Sequence, residues 1–308
     1  MEEKSPHDLI VILGPTATGK TKLAVQIANK INSEIISADS RQVYKGMNIG
    51  TGKDLHEYTL KNKKIPYHLI DIISPQNEYN VLQFQKDAYK IISKLKGKNK
   101  IPIICGGTGL YIESVLLNYN IPSIAPNYSL RNKLSKSSLK DLMNYLKKMN
   151  KNVYNPSYHN TKRRIIRQIE LLSSNKNKNN SINRSLNNPL VIGLKIDREI
   201  LLEKIKTRLD NRFNEGMIEE VERLIEKGIT FERLKYFGLE YKLIGKYLFK
   251  ELTLDDMKQN LLYAINKFSK RQMTFFRRME KRGIAINWIK YNCYEKIDLL
   301  VNQYLYKK

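Results

Sequence analysis

Apolar residues along this chain of 308 residues form two kinds of pattern that alternate through its first part. Short apolar runs, without a polar face, predict strands that are buried on both sides. These runs lie at residues 9–13, 34–38, 67–72, 101–105 and 190–194. Between them, apolar residues at helical spacing predict helices, notably at 81–95 and 110–117. Because strands that alternate with helices form parallel sheets, we expect an α/β fold with an open, doubly wound parallel sheet.

The segment between the fourth and fifth predicted strands is far longer than a crossover connection requires. It contains helical patterns at 129–148 and 161–172, and then a tract at 173–188 that is mostly Ser, Asn and Lys. Such a polar tract is typical of a flexible loop. The segment therefore predicts an all-helical subdomain inserted into the α/β core.

Three parts of the chain follow from these patterns. Residues 1–117 are expected to form the first part of the core, and 118–188 the inserted helical subdomain with its polar loop. Residues 189–308 are expected to supply the last core strand and a helical C-terminal region, with helices at 198–227 and 254–281.

The segment that follows the first predicted strand fits the pattern G-x-x-x-x-G-K-[ST] and opens a helical pattern. It reads Gly14-Pro15-Thr16-Ala17-Thr18-Gly19-Lys20-Thr21. In this position the backbone N–H groups and the helix N-terminus attract a phosphate, Lys20 adds a full positive charge, and Thr21 can bind Mg²⁺. The sequence therefore predicts a site for a diphosphate or a triphosphate.

Polar residues also follow two other predicted strands. The fourth strand is followed by Gly106-Gly107-Thr108, where a common ATPase carries an Asp that holds Mg²⁺ through water. Asp39 and Ser40 follow the second strand. A lone Asp there can cap a helix, lie in the second shell of a metal, or act as a base. Since carboxyl ends of parallel strands meet at one edge, these residues and the phosphate loop are expected to line one crevice.

Charge and cysteine content narrow the class of protein. Lys and Arg number 55 against 30 for Asp and Glu, a formal net charge of +25. This excess indicates either a polyanionic partner or a solvated, lysine-rich surface. Cys105 and Cys293 do not form a metal-binding spacing, which predicts reduced thiols in a cytoplasmic protein. No signal peptide and no apolar run long enough to cross a bilayer is evident, so we expect no membrane association.

Basic residues are concentrated in two of the predicted helices. The first group is Lys162, Arg163, Arg164 and Arg167, and the second is Lys267, Lys270, Arg271, Arg277, Arg278, Lys281 and Arg282. Tyr263, Phe268, Phe275 and Phe276 lie among the second group. Cationic and aromatic side chains together suit RNA, whose phosphates bind the charge and whose bases stack. The alternative for the aromatic residues is burial in the core.

These segments resemble the bacterial tRNA dimethylallyltransferases (isopentenyl-tRNA transferases) from about residue 8 to residue 290. The matching segments are GPTATGKT from Gly14, ISADSRQVYKGMNIGTGK from Ile36, HLIDI from His68, IICGGTGLY from Ile103, RRIIRQIE from Arg163 and KRQMTFFRR from Lys270. A P-loop is shared by many enzymes, whereas its combination with DSxxxYKGMxIGTxK is close to diagnostic. The resemblance implies a P-loop NTPase-like core.

The resemblance also implies a reaction. Such enzymes move a dimethylallyl group from dimethylallyl diphosphate to the exocyclic amine of the adenosine 3′ of the anticodon, releasing diphosphate. The phosphate loop then binds a diphosphate leaving group with Mg²⁺, and residues 14–21 would all belong to that site. Asp39, Thr108 and Lys20 would be the catalytic residues, with Asp39 as general base. The target adenosine must leave its stack to reach them.

Contacts with the anticodon stem-loop of tRNA are implied for three segments. These residues are Asp39, Ser40, Arg41 and Gln42; Arg163, Arg164, Ile165, Ile166 and Arg167; and Lys270, Arg271, Gln272 and Arg277. Because tRNA would cover much of the surface, a monomer is expected.

One segment departs from the resemblance, and two other functions stay open. Where many relatives carry Gly-Tyr-[Arg/Lys], this chain has Gly238-Leu239-Glu240, so a basic contact is replaced by an acidic residue.

A P-loop kinase of small molecules would also explain the phosphate loop, and would turn over ATP. A non-catalytic RNA-binding protein would explain the charge, but leaves the loop and Asp39 without a role.

Overall fold

A six-stranded parallel sheet forms the centre of the computed structural model, which describes residues 8–153, 155, 159–174, 186 and 188–306. The strands are β1 (Ile10–Leu13), β2 (Ile35–Ser37), β3 (Thr59–Leu60), β4 (Lys63–Lys64), β5 (Tyr67–His68), β6 (Ile103–Gly106), β7 (Leu190–Lys195) and β8 (Asn287–Lys290). Their order in the sheet is β5-β2-β6-β1-β7-β8, and β3 pairs with β4 in a separate antiparallel hairpin. The predicted α/β fold with a parallel sheet is confirmed.

Helices make up most of the rest of the described chain. They are α1 (Lys20–Lys30), α2 (Val81–Lys96), α3 (Gly109–Leu116), α4 (Tyr128–Ser135), α5 (Leu139–Met149), α6 (Lys162–Ser173), α7 (Arg198–Asn214), α8 (Met217–Glu226), α9 (Phe231–Phe237), α10 (Leu239–Leu248), α11 (Leu254–Lys281) and α12 (Tyr294–Tyr306), with a short 3₁₀ helix at Leu55–Tyr58. None of the helices in the described ranges combines the length and apolarity needed to span a membrane.

The central strand is apolar throughout because both of its faces are covered. Leu9, Val11 and Leu13 contribute to a core on one side of the sheet, together with residues of α2, α3, α7 and α11. Ile10 and Ile12 point to the other side, where α1 and α12 pack. Successive side chains of a strand alternate between its faces, so one unbroken apolar run supplies two cores.

Three details of the sequence prediction were wrong. The pattern at 198–227 is not one helix, because Gly216 adopts a left-handed conformation (φ 91°) and separates α7 from α8. Strand β8 was missed since it is short and only partly buried at the edge of the sheet. The third predicted strand is also shorter than 67–72, because Leu69 and Asp71 have positive φ angles.

The chain divides into two compact units, Met1–Tyr119 with Arg184–Lys308, and Asn120–Asn183. The second unit has a small core of its own, in which α4, α5 and α6 contribute Leu134, Leu142, Leu146, Ile165, Ile166 and Ile169. Of the polar loop predicted at 173–188, residues 175–185 and 187 lie outside the described residues.

Candidate active site

The loop between β1 and α1 has the backbone conformation of a phosphate cradle. Gly14 (φ 156°) and Gly19 (φ 78°) occupy conformations that favour glycine, and Ala17 (φ 61°) lies between them. A Cβ atom on Gly14 would lie 2.9 Å from the carbonyl oxygen of Leu194, so this position has no room for a side chain. Gly19 immediately precedes α1, and therefore the free N–H groups of the helix N-terminus face the loop.

Lys20 places a partly buried ammonium group at this loop. Its Nζ atom donates a hydrogen bond to the carbonyl oxygen of Pro15 (2.6 Å). Burial lowers the pKa of Lys20 to about 8, although the nearby Cys105 and Asp39 act in the opposite direction. A cation in this environment favours an anionic ligand, because a phosphate replaces the solvation that the ammonium group has lost.

Gln272 of α11 connects the phosphate loop to the end of β6. The N–H group of Thr16 donates to Oε1 of Gln272 (2.9 Å), and Nε2 of Gln272 donates to the carbonyl oxygen of Gly107 (3.0 Å). The side chain is 7% exposed. Gln272 was predicted to contact tRNA, and in the structure both ends of its amide bind the backbone of the site.

Hydrogen bonds orient the Asp39 carboxylate. Its Oδ1 atom accepts from the N–H groups of Arg41 (2.8 Å) and Gln42 (3.4 Å). Thr108 fixes the same turn, since its Oγ1 atom accepts from the N–H group of Ser40 (3.1 Å). The second carboxylate oxygen, Oδ2, takes no part in these bonds. The turn thus presents a carboxylate of defined orientation to the cavity beside it.

One cavity of about 350 Å³ brings together the three strand ends expected to converge. The phosphate loop contributes Thr16, Ala17, Lys20 and Thr21, and the end of β2 contributes Ser37, Asp39, Ser40, Arg41 and Gln42. Thr108 lines it from the end of β6, and Arg271 and Gln272 line it from α11. The cavity therefore has a cationic phosphate loop and an oriented carboxylate facing the same space.

Sequence reasoning missed several charged residues in and beside this cavity. Arg208 of α7 donates to Oγ1 of Thr16 (3.4 Å) and pairs with Asp54 (2.5 Å). Glu57 of the 3₁₀ helix shares a hydrogen bond with the side chain of Thr21, and burial raises its pKa. Arg212 also lines the cavity. The sequence feature that could have indicated Arg208 and Arg212 is their i, i+4 spacing, which puts both on one face of α7.

Glu240, the acidic residue of the departing segment, lines the same cavity. Burial raises the pKa of its carboxyl group, while Arg212 acts in the opposite direction. Glu240 therefore adds a carboxyl group to the cavity at the place where the resemblance led us to expect a cation.

A second buried carboxylate holds the loop before Lys53. Glu220 of α8 accepts from the N–H groups of Asn48 (2.6 Å), Ile49 (2.8 Å) and Gly50 (3.0 Å), and from the hydroxyl of Tyr241 (2.7 Å). Gly50 itself cannot carry a side chain, because a Cβ atom would lie 2.8 Å from the Tyr241 ring. This anchor sets the path of a loop whose residues 50–52 line the cavity.

We expect Glu220→Gln to lower the free energy of unfolding by about 2–4 kcal/mol, because an amide cannot accept all four bonds and loses the charge that strengthens them. Urea unfolding would measure the change. Glu222→Gln, at an exposed position of the same helix, is the matched control and is expected to stay within about 0.5 kcal/mol of the parent. Equal stability of the two variants would contradict the anchoring role.

The predicted basic residues of α11 are distributed over different surroundings. Arg271 lines the cavity, whereas Lys270 and Arg277 line a neighbouring cavity of about 750 Å³ on another face of the helix. Arg278 and Arg282 pair with Glu113, which is fully buried (2.6 and 3.5 Å). Among the aromatic residues, Phe276 is buried in the core and Tyr263 is exposed. Part of the cationic helix is thus used in internal ion pairs.

The arginine segment of α6 belongs to the second unit. Ile165 and Ile166 are buried in its core, so their side chains are not on its surface. Arg167 donates to Glu170 (2.5 Å) and to the carbonyl oxygen of Ile124 (2.9 Å).

Glu170 is the anchor of this segment. Burial raises its pKa, but hydrogen bonds from Arg131 and Arg167 outweigh this effect and hold the pKa at about 2. The exposed side chains of the segment are those of Arg163 and Arg164.

A family model and the most similar known proteins point to the same family. The IPP transferase family model matches residues 42–279. A tRNA dimethylallyltransferase of Azobacteroides pseudotrichonymphae is 50% identical over 289 residues, which cover 93% of this chain and 94% of the relative. One from Bacteroides fragilis is 47% identical over 285 residues, covering 92% of each chain.

Solved structures agree with this result. The full-length tRNA isopentenylpyrophosphate transferase of Bacillus halodurans superimposes with a TM-score of 0.71 at 31% identity, over 97% of both chains. A eukaryotic dimethylallyltransferase acting on tRNA gives a TM-score of 0.79 over 97% of this chain and 80% of that one; at 24% identity it shows the shared fold. The chain described here belongs to the IPP transferase family, together with the tRNA dimethylallyltransferases.

Proposed function

We propose that this protein transfers a dimethylallyl group from dimethylallyl diphosphate to the exocyclic amine of the adenosine 3′ of the anticodon in tRNA, releasing diphosphate. The observation that carries this proposal is the cavity in which the partly buried Lys20 of a phosphate loop and the oriented carboxylate of Asp39 face the same space. Membership of the IPP transferase family selects this reaction among those that a phosphate loop supports.

On the donor side, the protein stabilises a leaving group. The free N–H groups of the phosphate loop and the ammonium of Lys20 bind the diphosphate, and Arg208 reaches it beside Thr16. When the bond between the allylic carbon and the diphosphate oxygen breaks, the electron pair leaves with the oxygen. Charge grows on the diphosphate in this step, so cations placed around it beforehand lower the barrier.

On the acceptor side, the protein handles one proton. The nitrogen of the flipped adenosine forms the new bond to the allylic carbon with its lone pair, and Asp39 takes the proton that this nitrogen loses. The N–H groups of Arg41 and Gln42 hold the carboxylate in position, and Thr108 fixes the same turn through the N–H group of Ser40.

The residues present suit Mg²⁺ held mainly by substrate. Among the described residues, no cluster of three or more His, Cys, Asp or Glu side chains is arranged to bind a metal. Thr21 offers a hydroxyl at the phosphate loop, with the Glu57 carboxyl beside it. Mg²⁺ usually takes one or two protein ligands and completes its shell with water and phosphate oxygens. When bound, it would neutralise part of the charge of the diphosphate.

The tRNA side of the proposal uses the positive charge of the protein. Arg163, Arg164 and Arg167 of α6 and Lys270, Arg271 and Arg277 of α11 are the proposed contacts to the anticodon stem-loop, with Asp39–Gln42 at the target base. We further propose that the protein acts as a monomer in the cytoplasm, where its substrates occur and its two thiols, unpaired in the structure, stay reduced.

The double variant Arg163→Ala with Arg164→Ala is expected to weaken tRNA binding by about 10-fold at low salt, and to reduce the slope of log affinity against log salt by about 1–2. Filter binding over a range of salt concentrations measures both. These two arginines are exposed, so stability is expected to be unchanged, unlike after a change at Arg167. Parent-like affinity and slope would exclude Arg163 and Arg164 from the interface.

Prenyl transfer itself is the decisive experiment. The protein, Mg²⁺ and labelled dimethylallyl diphosphate are incubated with an unmodified tRNA that carries adenosine 3′ of the anticodon, and with a version in which that adenosine is replaced. ATP hydrolysis is followed in parallel. We expect label in the first tRNA only. Steady ATP turnover without transfer would instead support a small-molecule kinase.

A further inference from the structure

Glu240, at the start of α10, is a carboxyl group of the cavity that the reaction described above does not use. The residue is half-buried and lines the cavity together with Asp39. Within the described part of the chain its carboxylate forms no ion pair, and the hydrogen bond it accepts comes from its own N–H group. A carboxylate can accept roughly four hydrogen bonds, so most of this capacity is unused. The side chain is therefore able to accept from a ligand.

The start of α10 lies against the turn that carries Asp39. Gly238 (φ 111°, ψ −149°) precedes the helix in a conformation that is essentially restricted to glycine. A Cβ atom on Gly238 would lie 3.5 Å from Nε of Arg41, whose N–H group donates to Oδ1 of Asp39. The carboxyl groups of Glu240 and Asp39 thus reach one cavity from two adjacent segments.

The two carboxyl groups also act on each other electrostatically. Burial raises the pKa of the Glu240 carboxyl group, Arg212 lowers it, and Asp39 raises it further. Like charges that face one sheltered space cost free energy unless hydrogen-bond donors lie between them. Oδ2 of Asp39 takes no part in the bonds of its turn, so both carboxylates have acceptors left for a ligand. A group that offers two N–H donors at one atom matches this arrangement.

We propose that Glu240 and Asp39 each accept one N–H of the exocyclic amine of the target adenosine. This amine carries two N–H donors, one on each side of the bond that joins the nitrogen to the ring. The inference rests on the proposed function and adds a specificity-determining residue to its acceptor site. Asp39 keeps its role as base, and Glu240 makes the site require a primary amine.

The reaction changes the number of donors that the two carboxylates face. The amine nitrogen has two N–H bonds before transfer. Its lone pair forms the bond to the allylic carbon and Asp39 takes one proton, so the product keeps a single N–H. After Asp39 has passed its proton to water, two carboxylates share one donor. The site therefore binds unmodified adenosine more tightly than the product, which favours product release and rejects tRNA that is already modified.

The test compares two versions of one tRNA, with adenosine or with N⁶-methyladenosine at the target position. The methylated nitrogen has a single N–H, as in the product, and its methyl group is smaller than the prenyl group that the cavity must hold. Filter binding without the prenyl donor measures both affinities. We expect the parent protein to bind the methylated tRNA about 10-fold more weakly, because a hydrogen bond to a charged group is lost.

Variants of Glu240 identify the acceptor that senses the second N–H. Glu240→Ala removes it, so the ratio of the two affinities is expected to fall to about 1–3. Glu240→Gln keeps an acceptor oxygen without the charge and is expected to give an intermediate ratio. Glu226→Ala, at an exposed position on α8, is the matched control and is expected to keep the ratio of the parent. Each ratio is measured within one protein, so a loss of folded protein does not change it.

Three results would overturn the inference. One is equal affinity of the parent for the two tRNAs, and another is the same ratio for the parent and Glu240→Ala. The third is weaker binding of inorganic diphosphate to Glu240→Ala in calorimetry, which would show that Glu240 acts by orienting the neighbouring arginine, Arg212. If the parent transfers no prenyl group to the adenosine tRNA, the proposed function fails. A parent that transfers the group but does not distinguish the two tRNAs overturns this inference alone.

Discussion

Replacing Asp39 with Asn is expected to lower kcat for prenyl transfer by about 10²- to 10⁴-fold, while the affinities for tRNA and for diphosphate stay within about threefold. An Asn side chain keeps the Oδ1 acceptor that binds the N–H groups of Arg41 and Gln42, so the turn is preserved. It cannot take the proton that the adenosine amine loses. The change therefore separates proton transfer from positioning.

Steady-state rates with saturating tRNA and donor measure the first quantity, and filter binding and calorimetry measure the affinities. Asp210→Asn, at an exposed position on α7, controls for the loss of one negative charge and is expected to behave like the parent. A loss of tRNA affinity as large as the loss of rate would contradict the role of Asp39 as base, and so would a kcat within about threefold of the parent.

Lys20→Met is expected to lower kcat/KM for the donor by about 10³-fold or more, because it removes a full charge from the group that stabilises the departing diphosphate.

The affinity of the parent protein for diphosphate is also expected to depend on pH. The pKa of Lys20 in the free protein is about 8. Below this pH, Lys20 stays charged and its contribution to diphosphate affinity is expected to be constant. Above it, the ammonium loses its proton, and the affinity is expected to fall.

Lys20→Arg is the matched control for the pH dependence, because a guanidinium stays charged throughout this range. Calorimetry from pH 7 to pH 9.5 on both proteins separates the titration of Lys20 from that of diphosphate, which is common to the two. Parallel pH profiles would show that Lys20 does not carry the effect.

The sequence predicted those strands, loops and site residues whose signal lies in a short continuous segment of the chain. The run that contains Ile10 and Ile12 marked the central strand, and Lys20 and Thr21 marked the loop after it. Asp39 and Thr108 were found for the same reason, since each directly follows a strand. Because the strands are parallel, their carboxyl ends lie at the same edge of the sheet, which placed these residues close together.

The rest of the site depends on contacts between distant residues, and periodicity does not report these. Arg208 and Arg212 lie in an ordinary amphipathic helix, and only its packing turns them towards the cavity. Glu220 was not noticed, because its role requires a loop about 170 residues earlier in the chain. For α6, a motif suggested RNA contact for Ile165 and Ile166, whereas burial assigns both side chains to a core.

The bond between Thr16 and Gln272 has a consequence for the order in which the protein matures. The two residues are separated by 256 positions, so the phosphate loop obtains this hydrogen-bond acceptor only after α11 has been synthesised and packed. During translation, strand β1 and helix α1 emerge early, and strands β7 and β8 complete the sheet only later. The hydrogen-bonded form of the phosphate loop therefore arises late, after the chain up to α11 has left the ribosome.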